Sequence, residues 1–213
     1  KSSRNQYVSA EQLIAKMKVA FTNAKQPEIL AELATVGITE TQLDAHLADI
    51  TNLEQLSQQQ IQEYGEQFAA TDLFNEKKAA IDTTFARHRN LAKIIFKGDR
   101  QANTTLGIDD GRKQAYAAWY QQVNNFYSQI LANPDFKTKA ATVNIDDAAI
   151  AAQQAALQEV SALKESQKKE LGEAQRATDT RDAALDLLYP KYTQLVAFAK
   201  ALFPDDQTLG KLG

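Results

Sequence analysis

Apolar residues recur along this chain at spacings of three and four, the period of an α-helix with one covered face. The first such stretch is Leu13, Ile14, Met17, Ala20 and Phe21. A richer one follows later: Tyr116, Trp119, Tyr120, Val123, Phe126, Tyr127 and Ile130. Pro27 and Pro134 interrupt after each stretch, placed for the first turn of a short new helix, where a backbone N–H is not needed. Those short helices are expected to end at Gly37 and Asn144, the residue types that best tolerate the left-handed backbone of a helix terminus. Thr39 and Asp146 then read as N-caps, with Ile38 and Ile145 ahead of them as hydrophobic staples.

Longer patterns come next. Leu43, Leu47, Ile50, Leu53, Leu56, Ile61 and Tyr64 form one stripe, and Ile81, Phe85, Ala92, Ile95 and Phe96 a second that stops at Gly98. Further on stand Ile150, Leu157, Val160, Leu163 and Leu171, then Leu185, Leu188, Tyr192, Leu195, Ala199 and Leu202, stopping at Phe203-Pro204. Pro190 should kink this last helix or delay its start. Polar middles, Gln58–Asp72 and Glu165–Asp179, separate the stripes, and two architectures fit them. Gly65 and Gly172 end one helix and Thr71-Asp72 or Thr178-Asp179 cap the next, giving hairpins. Alternatively the helix continues, because the surrounding Glu, Gln and Ala are strong helix formers. A coiled-coil-like series through 171, 174, 178, 181, 185, 188, 192, 195, 199 and 202 favours continuation.

The two halves echo each other. A shift of 107 lays residues 26–99 over 133–206 without a gap, with 19 identities in 74 pairs. Ala34-Thr35-Val36 falls on Ala141-Thr142-Val143, and Gln60, Glu63, Gly65, Glu66, Ala70, Thr71 and Asp72 fall on Gln167, Glu170, Gly172, Glu173, Ala177, Thr178 and Asp179. Thr105-Leu106-Gly107 returns as Thr208-Leu209-Gly210 after a four-residue deletion. The reading is an all-α fold made by tandem duplication of a helical module of about 105 residues. The modules are residues 1–106 and 107–213, forming pseudo-twofold helical bundles with long antiparallel helices, which share one fold if those helices cross.

Composition sharpens this by exclusion. No Cys is present among 213 residues, which removes disulfide scaffolds, thiolate metal sites and Cys nucleophiles. Eight Gly and four Pro are too few for an all-β chain. No run of about 18 apolar residues suggests a membrane span. Lys1–Gln6 is polar and lacks the core of a signal peptide; a cleaved signal stays open, so no compartment is assigned. A net charge of −3 gives no general pull toward nucleic acid. Arg87, Arg89, Lys93, Lys97 and Arg100 cluster near one helix end and read as solvated charges that complement the helix dipole.

Candidate chemistry is sparse. His46 and His88 lack the Glu-x-x-His spacing of a di-iron bundle. Asp109-Asp110-Gly111 reads as an inter-module turn and helix N-cap, since the ligands of a calcium loop do not follow. Two constellations stand out. Glu63, Glu66, Asp72, Glu170, Glu173 and Asp179 form a duplicated polar cluster that would attract a hard cation or basic partner if the two middles meet. Tyr116, Trp119, Tyr120, Phe126 and Tyr127 form an aromatic stripe suited to core packing, an apolar ligand or a partner helix. No catalytic residue, cofactor site or metal ligand is assigned. The leading function is a non-enzymatic helical-bundle module for structure or interaction, with another protein or a second copy as partner. The alternatives are a binder of a small apolar ligand near residues 116–130 and a carboxylate-based metal-binding protein.

Overall fold

The structure, a computed structural model, describes residues 8–204 and 210–213; the polar start of the chain and Thr208-Leu209 lie outside the described residues. Seven α-helices, and no strand, form among them: α1 (Ala10–Asn23), α2 (Pro27–Ala34), α3 (Glu40–Ile95), α4 (Arg100–Thr105), α5 (Tyr116–Ala132), α6 (Pro134–Ala141) and α7 (Asp147–Leu202). No described helix is long and apolar enough to cross a membrane.

Helices α3 and α7 each run 56 residues, continuing through Gly65 and Gly172. An interior glycine costs a helix only about 1 kcal/mol against alanine. A loop in its place would leave several backbone groups to be satisfied elsewhere, so the strong helix formers around each glycine prevail. Thr71-Asp72 and Thr178-Asp179 are consequently helix interior and cap nothing. α7 also contains Pro190, where the expectation of a delayed start is not met. Proline there removes one donor toward the Asp186 carbonyl, and the Thr193 hydroxyl donates to the Pro190 carbonyl at 2.9 Å.

The helix ends follow the local chemistry. Ser9 caps α1 through a reciprocal box with Gln12, and Thr39 and Gln42 repeat that arrangement at the start of α3. Asp146 accepts from the Ala149 N–H at 2.9 Å. Gly37 and Asn144 adopt φ of 84° and 62°. Just beyond them, the Ile38 N–H reaches the Leu33 carbonyl at 3.1 Å and the Ile145 N–H the Ala140 carbonyl at 3.0 Å, closing both short helices. α5 differs from expectation. It starts at Tyr116, so Asp109-Asp110-Gly111 is a turn within the preceding loop and caps no helix.

Two compact units share these helices. One is Lys1–Glu66 with Glu170–Gly213, the other Gln67–Lys169. Each long helix gives half of its length to each unit, so each unit draws on both 1–106 and 107–213. In the first, Met17 and Phe21 of α1 and Leu33 of α2 pack with Leu43, Ile50 and Leu53 of α3 and Leu185, Leu188 and Leu195 of α7. In the second, Phe126, Tyr127 and Ile130 of α5 and Phe136 of α6 pack with Ile81, Phe85 and Phe96 of α3 and Ile150, Leu157 and Val160 of α7. Full burial of such a side chain contributes roughly 1.5–3 kcal/mol.

Two members of the expected stripes face out. Ile61 is 66% and Leu171 55% exposed. Near the glycines the inward positions on α3 are Leu53, Ser57, Gln60 and Tyr64, and on α7 Ala174, Thr178 and Arg181; a residue one step away is turned by about 100°. Side chains that reach across to the opposite long helix there are polar and hydrogen-bonding: Gln60, Tyr64, Thr178 and Arg181.

A cavity-free test isolates the terminus chemistry. A Cβ at Gly37 would meet nothing within 4 Å, so Gly37→Ala should cost about 1 kcal/mol through backbone strain alone. Asn144→Gly should cost nothing or stabilise slightly. Chemical denaturation of the two variants checks both signs.

Candidate functional site

Helix propensity and the three-four spacing place the aromatic stripe along α5, and the second unit's core covers most of it. Trp119, Phe126 and Tyr127 are buried, whereas Tyr116 and Tyr120 are half-buried at the rim. Phe126 and Tyr127 pack edge-on against Phe85 at ring separations of 5.5 and 6.4 Å. Tyr116 lies 5.5 Å from Phe74, with the Lys164 ammonium 5.6 Å from its own ring. These contacts make the stripe a packed surface inside one unit.

The polar tips of the buried aromatics are matched by α3. The Trp119 Nε1–H donates to Asp82 Oδ1 at 3.0 Å, and Lys78 sits 4.7 Å above the indole. Burial by itself would raise the Asp82 carboxyl, but hydrogen bonds from Arg112 and Trp119 together outweigh it and hold the group below the usual aspartate range. Tyr127 and His88 pair, hydroxyl to Nδ1, at 2.9 Å. Burial raises the Tyr127 phenol far above its ordinary range, so this hydroxyl stays protonated and is available to donate to a neutral imidazole. His88 is pushed down by burial and then by Arg87.

Arg89 departs from the solvated-charge expectation for its cluster. It is 5% exposed, and its guanidinium donates to the carbonyls of Ile108, at 3.4 Å, and Asp110. It thus pins the loop between α4 and α5, while Arg87, Lys93, Lys97 and Arg100 are exposed. Its place next to His88 on the inward register was the available signal; a charge among basic neighbours concealed it.

The polar middle brings three of the six singled-out carboxylates together. One ligand oxygen from each of Glu63, Glu66 and Glu170 lies within 4.8 Å of the other two, all within the first unit. The helical period and the antiparallel run of α7 cause this: Glu63 and Glu66 stand three residues, about one turn, apart on α3, and Glu170 faces them. Glu66 Oε1 accepts from Gln62 Nε2 at 2.8 Å, while Glu170 Oε2 is enclosed without a hydrogen bond. The remaining three are not part of the group. Glu173 lies 3.8 Å from Arg176, Asp179 accepts from Gln175 at 2.9 Å, and Asp72 is exposed in the other unit.

Beside the carboxylates, polar bonds tie the long helices together. In the first unit Gln60 Nε2 donates to Thr178 Oγ1 at 3.2 Å; in the second Gln167 Nε2 donates to Thr71 Oγ1, also at 3.2 Å. Arg181, with 12% of its side chain exposed, donates to Gln60 Oε1 at 2.5 Å and lies 3.7 Å from Glu11. No protein-family model matches the chain, and no curated protein or solved structure is significantly similar to it.

The histidines give a pH signature. His46 is also lowered, by burial and then Lys191, against a smaller opposing pull from Asp49. As pH falls through about 6.5 the unfolded chain binds protons before the folded one, so stability held above that value is lost as pH falls. Urea midpoints should drop between pH 7.5 and 5.5. Replacing the pair as His88→Leu with Tyr127→Phe should flatten part of that slope; an unchanged slope would show that His88 is not held neutral.

Proposed function

We propose that the chain is a non-enzymatic helical-bundle module for structure or interaction, built by tandem duplication of one helical unit. The observation that carries this reading is the pair of Gln–Thr hydrogen bonds. Gln60 to Thr178 and Gln167 to Thr71 are the same two residues offset by 107, at the same 3.2 Å. Buried positions support the duplication in the same way: Ile29 and Phe136, Leu43 and Ile150, Leu53 and Val160, Ile81 and Leu188, Phe85 and Tyr192, Ala92 and Ala199 all stand 107 apart. The pseudo-twofold relation expected from the sequence belongs to this proposal. Polar side chains that would otherwise suggest chemistry hold helices or loops in place, as Arg89, Asp82 and Arg181 do. The partner class that follows is another protein or a second copy.

Removing structural polar groups should lower stability, whereas removing catalytic ones commonly leaves it unchanged or raises it. Gln60→Ala and Gln167→Ala should each cost roughly 0.5–1.5 kcal/mol and be nearly additive together, as read by urea denaturation. Sedimentation equilibrium over a hundredfold concentration range, with capture of bound proteins from the native source, tests the role itself. A monomer throughout that captures nothing would count against it.

The convergence of Glu63, Glu66 and Glu170 favours a second reading, a hard-cation site. Carboxylate oxygens suit Ca²⁺ or Mn²⁺, and an enclosed acceptor without a donor, Glu170 Oε2, is a group a cation would satisfy. Calorimetric titration with Ca²⁺ and Mn²⁺ should then show one saturable site per chain that Glu170→Gln weakens at least tenfold. Heats equal to those of dilution would reject this reading.

A further inference from the structure

At the end of the first unit, a cavity of about 180 Å³ lies among the α2–α3 link, the start of α3 and the C-terminal half of α7. It is of the order of an apolar protein cavity that takes up benzene, about 150 Å³. Phe21, Leu43, Leu195 and Phe198 supply apolar wall, and His46 and Lys191 supply nitrogen. The two nitrogen groups share one carboxylate. Asp49 Oδ2 lies 4.0 Å from His46 Nδ1 and 3.6 Å from Lys191 Nζ. His46 Nδ1 is enclosed and has no hydrogen-bond partner, and the ring leans on Phe21 at 5.0 Å between centroids.

We propose that this cavity binds a small organic acid, with an apolar body about the size of one ring against the half-buried Ile38 and Phe198 and its carboxylate at Lys191 and His46. Charge counting selects an anion. Lys191 and a neutral His46 are balanced by Asp49. Once His46 takes up a proton, the three groups carry one net positive charge, which one further carboxylate neutralises. Asp49 on α3 and Lys191 on α7 are the charged groups facing the imidazole, while α1 contributes Phe21. His46 is held neutral by burial and by Lys191; an incoming carboxylate offsets the Lys191 repulsion and attracts the imidazolium directly, so binding is coupled to proton uptake wherever that attraction exceeds the added burial. A neutral ligand of the same shape gains the apolar contacts alone, and a carboxylate with no body gains only the charge.

The test uses the full chain labelled at histidine Cε1 and titrated with sodium benzoate, sodium acetate and benzyl alcohol at constant ionic strength. Benzoate should shift the His46 signal saturably, leave His88 in place and raise the His46 titration midpoint by about one unit. Reciprocity then makes benzoate bind more tightly as pH falls through the His46 midpoint, approaching about tenfold once the imidazole is protonated in the free chain as well. Acetate and benzyl alcohol should each bind at least tenfold more weakly than benzoate. His46→Gln assigns the signal and should abolish the pH dependence, read as benzoate-induced change in melting temperature. Lys191→Gln should weaken benzoate about tenfold. Equal, non-saturating shifts with benzoate and acetate would reduce the effect to ionic screening and overturn the proposal, as would benzoate binding that leaves the His46 midpoint unmoved. These comparisons on the unsubstituted chain decide the matter even if a variant fails to fold.

Discussion

A helix that continues for 56 residues cannot fold back to cover its own apolar face. This constraint organises the chain. Because α3 and α7 run through Gly65 and Gly172, each must find different partners along its two halves. The first unit covers the N-terminal half of α3 with α1, α2 and the C-terminal half of α7, and the second covers the C-terminal half of α3 with α5, α6 and the N-terminal half of α7. The short helices can be short because they stabilise themselves by docking, not by length; an isolated eight-residue helix such as α2 or α6 would be marginal in water. Their Pro starts and αL ends deliver them at the angle that docking requires.

Where two helices meet over polar sequence, specificity comes from side-chain hydrogen bonds. Each net bond contributes only about 1 kcal/mol, but a register slip would strand its donors and acceptors at a larger penalty. Gln60 with Thr178, and Gln167 with Thr71, set register within their units in this way. The acidic group of Glu63, Glu66 and Glu170 is a by-product of the same antiparallel arrangement in the proposed scaffold, or its purpose in the cation-binding alternative. The two readings share one geometry and differ in what satisfies Glu170 Oε2.

Much of the fold was legible along the chain. Capping residues, the roles of Pro27 and Pro134, and the αL positions at Gly37 and Asn144 depend on bonds spanning a few residues, so local chemistry suffices. The core register at 174, 178, 181, 185, 188, 192, 195 and 199 was equally readable, and it even contains Arg181. The site was less so. Sequence singled out six carboxylates, and packing brought three together. It marked Trp119 and Tyr127 as a stripe with polar tips to satisfy, but not the partners Asp82 and His88, which lie 37 and 39 residues away. Arg89 was grouped with its exposed neighbours because charge count carries no direction; its contact is with carbonyls of a loop about twenty residues on.

By itself the sequence determined helix identity, helix ends and the spacing of the apolar faces, since propensity, capping and periodicity act within a few turns. It left open whether the chain turned at Gly65 and Gly172. That choice compares one glycine's backbone entropy with the burial available to a hairpin or to a continuous helix, and only the other segments supply that burial. Tertiary structure therefore decided the continuity of α3 and α7, the outward turn of Ile61 and Leu171, and the meeting of Glu170 with Glu63 and Glu66. Each depends on which helix lies opposite, and a one-residue change of rotation reverses the answer.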